Sequence, residues 1–235
     1  MIGCSIAYYL SKSGVKVTLL ERGQIGMEAS NAASGVLSSP LLKSDDPFTR
    51  MSFESLAMFP DLAQELRETC GVDVEFSRCG ELSLALTDDE VREYQGLGMK
   101  VAEAGGSARW MDFESVHDYE PQVGPEILGG FYMPEVCKVN NQRLSLALAR
   151  SAEWHGAQIM QATEVVGLVR SGLKITGVRL PDDEIYADNV ILAAGPWTHA
   201  LAESVGGDIP VRPVRGLNLN LQPAGRSFQS IIHGS

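Results

Sequence analysis

The sequence predicts an α/β fold, α+β when taken whole: a domain of alternating helix and strand, interrupted by a second, mixed α+β domain. Three observations predict it. An amphipathic helix beginning near Gly3 passes straight into an apolar, partly β-branched run that stops at Glu21. A long insertion of helical and strand-like segments follows. A second well-marked helix then starts at Asn141 and leads into several short strands with polar turns between them.

The elements follow in order. Gly-Cys-Ser-Ile-Ala-Tyr-Tyr-Leu sets Ile6, Ala7 and Leu10 on one helical face, and Ser13-Gly14 supplies the stop. Val15, Val17, Leu19 and Leu20 give a strand ending at Glu21. Residues 23–40 are rich in Gly, Ser, Ala and Asn without a sustained period, so they read as a loop or short helix start where backbone can approach a ligand. Between residues 47 and 71, Phe53, Leu56, Phe59, Leu62 and Leu66 recur at helical spacing, with Pro60 expected to interrupt the run. Residues 81–86 alternate like a half-buried strand, 88–104 return to helix, and 129–134 read as a strand ending in a turn. Residues 141–156 form an amphipathic helix with Leu144, Leu148 and Ala152 in register. Short strands are expected at 158–161, 164–169, 175–180 and 190–192. The implied division is 1–45 with 138–210 for the nucleotide-binding domain, and 46–137 with 211–235 for the mixed domain.

Composition narrows the function. Nineteen Lys+Arg against thirty Asp+Glu give a net charge of −11, which repels nucleic acid and anionic membrane surfaces, so neither is expected as a partner. Apolar stretches such as residues 190–197 fall far short of the roughly 20 residues that cross a bilayer. Lys12 and Lys16 follow the first apolar segment instead of preceding it, the wrong order for a secretory signal, so a cytoplasmic protein is expected. Cys4, Cys70, Cys79 and Cys137 are scattered, with no Cys-x-x-Cys pair and no His at ligand spacing; they read as reduced thiols, with no metal expected. His117, His155, His199 and His233 lack paired carboxylates in the sequence, and none is nominated as an acid or base.

Three segments could carry chemistry. A dinucleotide site needs glycines where strand turns into helix, so that pyrophosphate sits on the helix N-terminus, and an acidic residue about 20 positions on for the ribose hydroxyls. Gly3 can be the last glycine of such a G-x-G-x-x-G turn and Glu21 the ribose acceptor, in which case the first strand and two glycines would lie before Met1. A Gly before a helix and a Glu after a strand also occur in α/β proteins without this ligand. Residues 29–36, Ala-Ser-Asn-Ala-Ala-Ser-Gly-Val, either pack under a flat ring and offer N–H groups to phosphate or form a surface loop. Residues 188–197, Asp-Asn-Val-Ile-Leu-Ala-Ala-Gly-Pro-Trp, read as a buried strand running into a small-residue turn, either a cofactor-facing strand end or a simple tight turn.

Together, Gly-Cys-Ser-Ile-Ala-Tyr-Tyr-Leu, Val-Thr-Leu-Leu-Glu-Arg-Gly, Ser-Asn-Ala-Ala-Ser-Gly-Val-Leu and, far downstream, Ala-Ala-Gly-Pro-Trp-Thr resemble the D-amino-acid oxidase superfamily of FAD-dependent oxidoreductases, and within it the glycine-oxidase branch of thiamine biosynthesis. The likeness covers essentially the whole chain, since residues 130–134 and 141–159 also look like the family's pattern. It implies a Rossmann-like FAD-binding domain interrupted by a substrate domain, with FAD as cofactor, a small amine and dioxygen as partners, and a homo-oligomer as an open possibility.

Residue by residue, the resemblance implies that Gly3 faces the pyrophosphate, Glu21 binds the adenosine ribose and Arg22 sits beside the adenine. Ser30, Asn31, Ala32, Ala33, Gly35 and Val36 would line the pyrophosphate, ribityl chain and flavin ring. Val165 would offer its backbone to adenine, and Ala194, Gly195 and Trp197 would close the site. Residues 213–216 look like the segment leading into the substrate-side sheet. The family's substrate-binding arginine, its neighbouring tyrosine and the last flavin-contacting helix would lie beyond Ser235, so no catalytic residue is assigned. The implied reaction oxidises glycine, sarcosine or a D-amino acid to an imine, with hydride passing to flavin and dioxygen leaving as peroxide. The alternatives are a dehydrogenase of D-amino acid or glycerol 3-phosphate type that reduces quinone, and a non-catalytic fragment. Without the first strand its neighbours' edges are exposed, so the chain alone is expected to bind FAD weakly, to be inactive and to be poorly soluble.

Overall fold

Helix α1 (Ile2–Lys12) ends where Ser13 and then Gly14, at φ +82°, turn the chain aside, as the Ser-Gly stop predicts. It is followed by strand β1 (Thr18–Leu20), the single helical turn α2 (Ala29–Ala32), strand β2 (Val36–Leu37) and the long helix α3 (Pro47–Cys70). Next come β3 (Ser77–Arg78), β4 (Glu81–Ala85), α4 (Asp88–Glu103), β5 (Arg109–Asp112), α5 (Phe113–Tyr119), β6 (Gly129–Met133) and β7 (Cys137–Lys138). Helix α6 (Asn141–Trp154) leads to β8 (Gln158–Met160), β9 (Gly167–Ser171), β10 (Lys174–Arg179) and β11 (Glu184–Tyr186). A 3-10 turn (Gly195–Trp197), helix α7 (Thr198–Glu203) and β12 (Ile231–His233) complete the chain. The computed structural model describes residues 1–219, 221, 222, 225 and 227–234; within the mixed-domain portion expected at 211–235, residues 220, 223, 224, 226 and 235 lie outside the described residues.

The chain divides into two compact units. The first comprises Met1–Ser34, Glu65–Val74 and Asn141–Leu219. In it α1 packs on α6, burying Cys4, Ala7, Tyr8 and Ser11 of one helix with Leu144, Ala147, Leu148, Ser151 and Ala152 of the other. The register expected for Leu144, Leu148 and Ala152 holds, since all three are buried. β1 and β8 pair in parallel, Thr18 opposite Gln158 and Leu20 opposite Met160. β9, β10 and β11 form a separate antiparallel sheet.

The second unit comprises Gly35–Gln64, Glu75–Asn140 and Asn220–Ser235. Its main sheet has the order β12-β4-β6-β5, with β12 parallel to β4 and the other pairs antiparallel. Leu82, Val116, Val123 and Ile127 form one core cluster, and Val101, Ala108 and Phe131 another. β2, β7 and β3 make a small antiparallel sheet. Helix α4 starts with a full capping box: the Thr87 hydroxyl accepts the Glu90 N–H at 3.3 Å, and the Glu90 carboxylate accepts the Thr87 N–H at 2.9 Å. Thr87→Ala removes half of this exchange and should cost about 1 kcal/mol in urea denaturation. An unchanged midpoint would mean that the cap contributes nothing to stability.

Three expectations need correction. Residues 190–192 form no strand, and Ile191 is 56% exposed. A strand exists only through a partner's hydrogen bonds, and among the described residues no neighbour pairs with this segment, so an apolar run stays unladdered. Pro60 does not interrupt α3, which runs continuously through it. A proline removes one backbone bond, and here the apolar residues of the flanking turns, such as the fully buried Leu66, carry the helix across. The strand expected at 164–169 begins only at Gly167, with the preceding Val166 N–H already donating to the Arg179 carbonyl of β10 at 2.8 Å.

Candidate functional site

Several of the positions singled out in the sequence meet at the start of α1 in the first unit. Gly3 comes so close to the segment 190–194 that a Cβ there would lie 3.3 Å from the Cβ of Ala193 and 3.6 Å from Cδ1 of Leu19. The backbone nitrogen of Met1 lies 3.1 Å from Oγ of Ser30, which brings α2 to the same helix end. First turn of helix, strand β1, small-residue loop and the Ala-Ala-Gly segment thus share one neighbourhood.

Glu21 continues the β1–β8 ladder past its last paired residue. Its N–H donates to the Met160 carbonyl at 3.0 Å and its carbonyl accepts from the Thr163 N–H at 2.9 Å. Val165, half-buried, follows two residues after that anchor. The Glu21 carboxylate accepts the Gly23 N–H at 2.8 Å, holding the turn after the strand. Arg22 lies with its guanidinium carbon 3.7 Å from the centroid of the Trp197 ring, and its Nη2 is 2.8 Å from Oε1 of Glu28. A cation–π contact of this kind contributes about 0.5–2 kcal/mol. It ties the end of β1 to the 3-10 turn that opens at Gly195, whose φ is +54°.

The remaining predicted positions are placed as follows. Asn31 donates its N–H to the Glu28 carbonyl at 3.0 Å within the α2 turn. The carbonyls of Ala32 and Ala33 accept from the side chains of Asn218 and Asn141. Ala194 caps the 3-10 turn, its carbonyl accepting the Trp197 N–H at 3.1 Å. Gly35 and Val36 belong to the second unit, where the Gly35 carbonyl accepts the Val139 N–H at 2.9 Å and Val36 pairs with Lys138.

The chemistry available is that of a dinucleotide cradle. Small side chains, exposed backbone, an acidic residue at a strand's carboxyl end and the start of a helix are the parts such a ligand uses. Burial pushes the Cys4 thiol upward and the negative charge of Glu21 adds to that, so Cys4 stays a neutral thiol beside the site. Among the described residues no cluster of His, Cys, Asp or Glu could hold a metal ion, and no helix is long and apolar enough to cross a membrane. A separate open cleft, lined by Gly23, Ile25, Met27, Gln142, Leu146 and Gln161, contains none of the predicted cofactor positions.

Sequence reasoning missed Ala193, Glu28, Asn141 and Asn218. Ala193 adjoins the nominated Ala194 and could have been included from its small size. Glu28, Asn141 and Asn218 act through contacts set by the fold, and no local pattern marks them.

Comparison with known proteins shows the family. The family model described as FAD dependent oxidoreductase matches residues 1–233. The chain is 29% identical to glycine oxidase from Bacillus licheniformis, over 99% of this chain and 62% of that protein. It is 32% identical to glycine oxidase from Pseudomonas aeruginosa, over 92% of this chain and 58% of the other. The crystal structure of glycine oxidase from Bacillus cereus superimposes with a TM-score of 0.78 at 31% identity, over 85% of this chain and 54% of that one. The chain therefore spans between half and two thirds of the length of these relatives. By the match of nearly its whole length, the chain belongs to the FAD dependent oxidoreductase family.

Proposed function

We propose that this chain carries the FAD-binding part of an amine oxidase of the glycine oxidase kind, acting in the cytoplasm on a small primary or secondary amine with dioxygen as electron acceptor. The observation that carries the reading is the convergence of Gly3, Glu21, Arg22, Ser30 and Trp197 in one unit, at the start of α1 and the carboxyl end of β1. In this reading residues 1–45 and 138–210 bind the cofactor, and residues 46–137 and 211–235 face the substrate.

Each residue then has a physical task. The start of α1 faces the pyrophosphate, where partial positive charge favours an anion, with Ser30, Asn31, Ala32 and Ala33 beside it. Glu21 accepts from the ribose hydroxyls, and Arg22 with Trp197 flanks the adenine, to which Val165 offers its backbone. Ala32, Ala33, Ala194 and Gly195 leave room for a flat ring, and Gly35 and Val36 are the remaining cofactor positions of this reading. Bound FAD supplies the two-electron acceptor that no side chain can provide.

The test uses protein containing this chain, purified with FAD and supplied with glycine, sarcosine and D-alanine. Hydrogen peroxide should appear in a peroxidase-coupled assay in step with amine loss. Reduction of a quinone analogue without peroxide would replace the oxidase reading with the dehydrogenase one. Failure to retain any flavin absorbance would overturn the cofactor assignment itself.

A further inference from the structure

Arg22 is held by side chains from two other elements. Its guanidinium carbon lies 3.7 Å from the centroid of the Trp197 ring. Only an approach over the face brings a carbon that near the centre of an indole, and a guanidinium standing on edge keeps its carbon farther off, so the group lies close to flat on the ring. At its rim, Nη2 donates to Oε1 of Glu28 at 2.8 Å. Glu28 opens the α2 turn, where its carbonyl accepts the Asn31 N–H at 3.0 Å, so the carboxylate hangs from an anchored backbone.

This contact does little for the fold. The two side chains are 38% and 58% exposed, and an ion pair in such a position contributes little to stability. What it fixes is direction. A free arginine side chain turns about several torsions, whereas one gripped on its inner face and at its rim presents a planar cation in a single orientation. With the inner face on the indole, the exposed part of the guanidinium is its outer face and remaining edge. That plane stands one residue beyond Glu21, at the carboxyl end of β1, where an α/β sheet receives its ligands. A planar cation pairs well with the π face of a flat ring, and a purine base is such a ring.

We infer that Glu28 is a positioning residue: it holds the Arg22 guanidinium flat on Trp197, so that the outer face of the cation is the platform on which the adenine ring of FAD stacks. The inference rests on the FAD-binding reading above and deepens it, giving the adenine end a three-layer order of indole, guanidinium and base. It also predicts a sign. Glu28 brings a negative charge close to an anionic cofactor, so a carboxylate with no positioning role would repel FAD, and its removal would tighten binding. Under this inference its removal loosens binding.

The test compares the full chain with its Glu28→Ala, Glu28→Gln and Arg22→Lys variants by FAD titration, by displacement of bound FAD with ADP, and by thermal melting. Glu28→Ala should bind FAD about three- to tenfold more weakly, the scale of one cation–π contact. ADP keeps the adenine and lacks the flavin, so its affinity should fall by the same factor. Glu28→Gln keeps an oxygen acceptor for Nη2 and should lose less. Arg22→Lys keeps the charge without the plane and should lose about tenfold. Melting temperatures should stay close to the parent's. Unchanged or tighter FAD binding by Glu28→Ala overturns the inference and leaves the FAD-binding reading in place. A loss of FAD affinity that ADP does not share, or an Arg22→Lys variant that binds like the parent, overturns it in the same way. A parent that binds no FAD overturns both.

Discussion

Glu120→Leu should destabilise the second unit by roughly 2–6 kcal/mol, from two orphaned buried donors at about 1–3 kcal/mol each. The carboxylate of Glu120 is 1% exposed, and its Oε1 accepts three hydrogen bonds. They come from the Gln229 N–H at 2.8 Å, the Ser230 N–H at 2.7 Å and the Ser230 hydroxyl at 2.8 Å. Ser230 is itself buried, so its two donors have no access to water once the acceptor is gone. Leucine restores volume but no acceptor, and the alternative to burying two unpaired groups is to detach β12, which starts at the next residue and pairs with β4. Glu120→Gln keeps an acceptor of the same reach without the charge and should lose less, since charge-assisted bonds are about twice as strong as neutral ones. Urea denaturation of the three proteins gives the order parent, Gln, Leu, and hydrogen exchange at Ile231 and Ile232 should accelerate most in the Leu variant. A leucine variant within about 0.5 kcal/mol of the parent, the range of an ordinary surface substitution, would sink this account.

Glu120 also marks where sequence reading stops. Its partners lie 109 and 110 residues downstream, and nothing in the neighbouring Tyr-Glu-Pro distinguishes a buried clamp from a solvated surface charge. Local signals were readable because their cause is local. The Ser-Gly stop ends α1, and the spacing of Leu144, Leu148 and Ala152 predicts the buried face of α6. Glu21 and the Ala-Ala-Gly segment were legible as candidates because a ligand that approaches backbone demands small residues and an acceptor at fixed places. Short elements such as β3, β7 and β12 were not legible, since two or three residues carry no period and become strands only through partners far away. The same physics explains the converse error at residues 190–192, where strong β-propensity forms no ladder without a neighbour.

Gly3→Leu should weaken FAD binding by roughly ten- to a hundredfold while moving the melting temperature little. Two effects compete at this position. Alanine there gains about 1 kcal/mol of helix propensity over glycine, and its Cβ at 3.3 Å from Ala193 asks for a shift of only a few tenths of an ångström, so Gly3→Ala should be near neutral. Leucine adds three further carbons toward Ala193 and Leu19, and overpacking of this kind costs about 1–3 kcal/mol. What decides the outcome is which wall gives way. Helix α1 is held along its length by the buried face of α6, whereas residues 190–194 make no ladder among the described residues. The segment therefore yields, and it carries the Gly195–Trp197 turn away from Arg22 and Glu21. The strain appears as a misplaced cofactor wall, which FAD titration reads and melting does not. A leucine variant that holds FAD as tightly as the parent would mean that the approach of α1 to Ala193 has no part in gripping the cofactor.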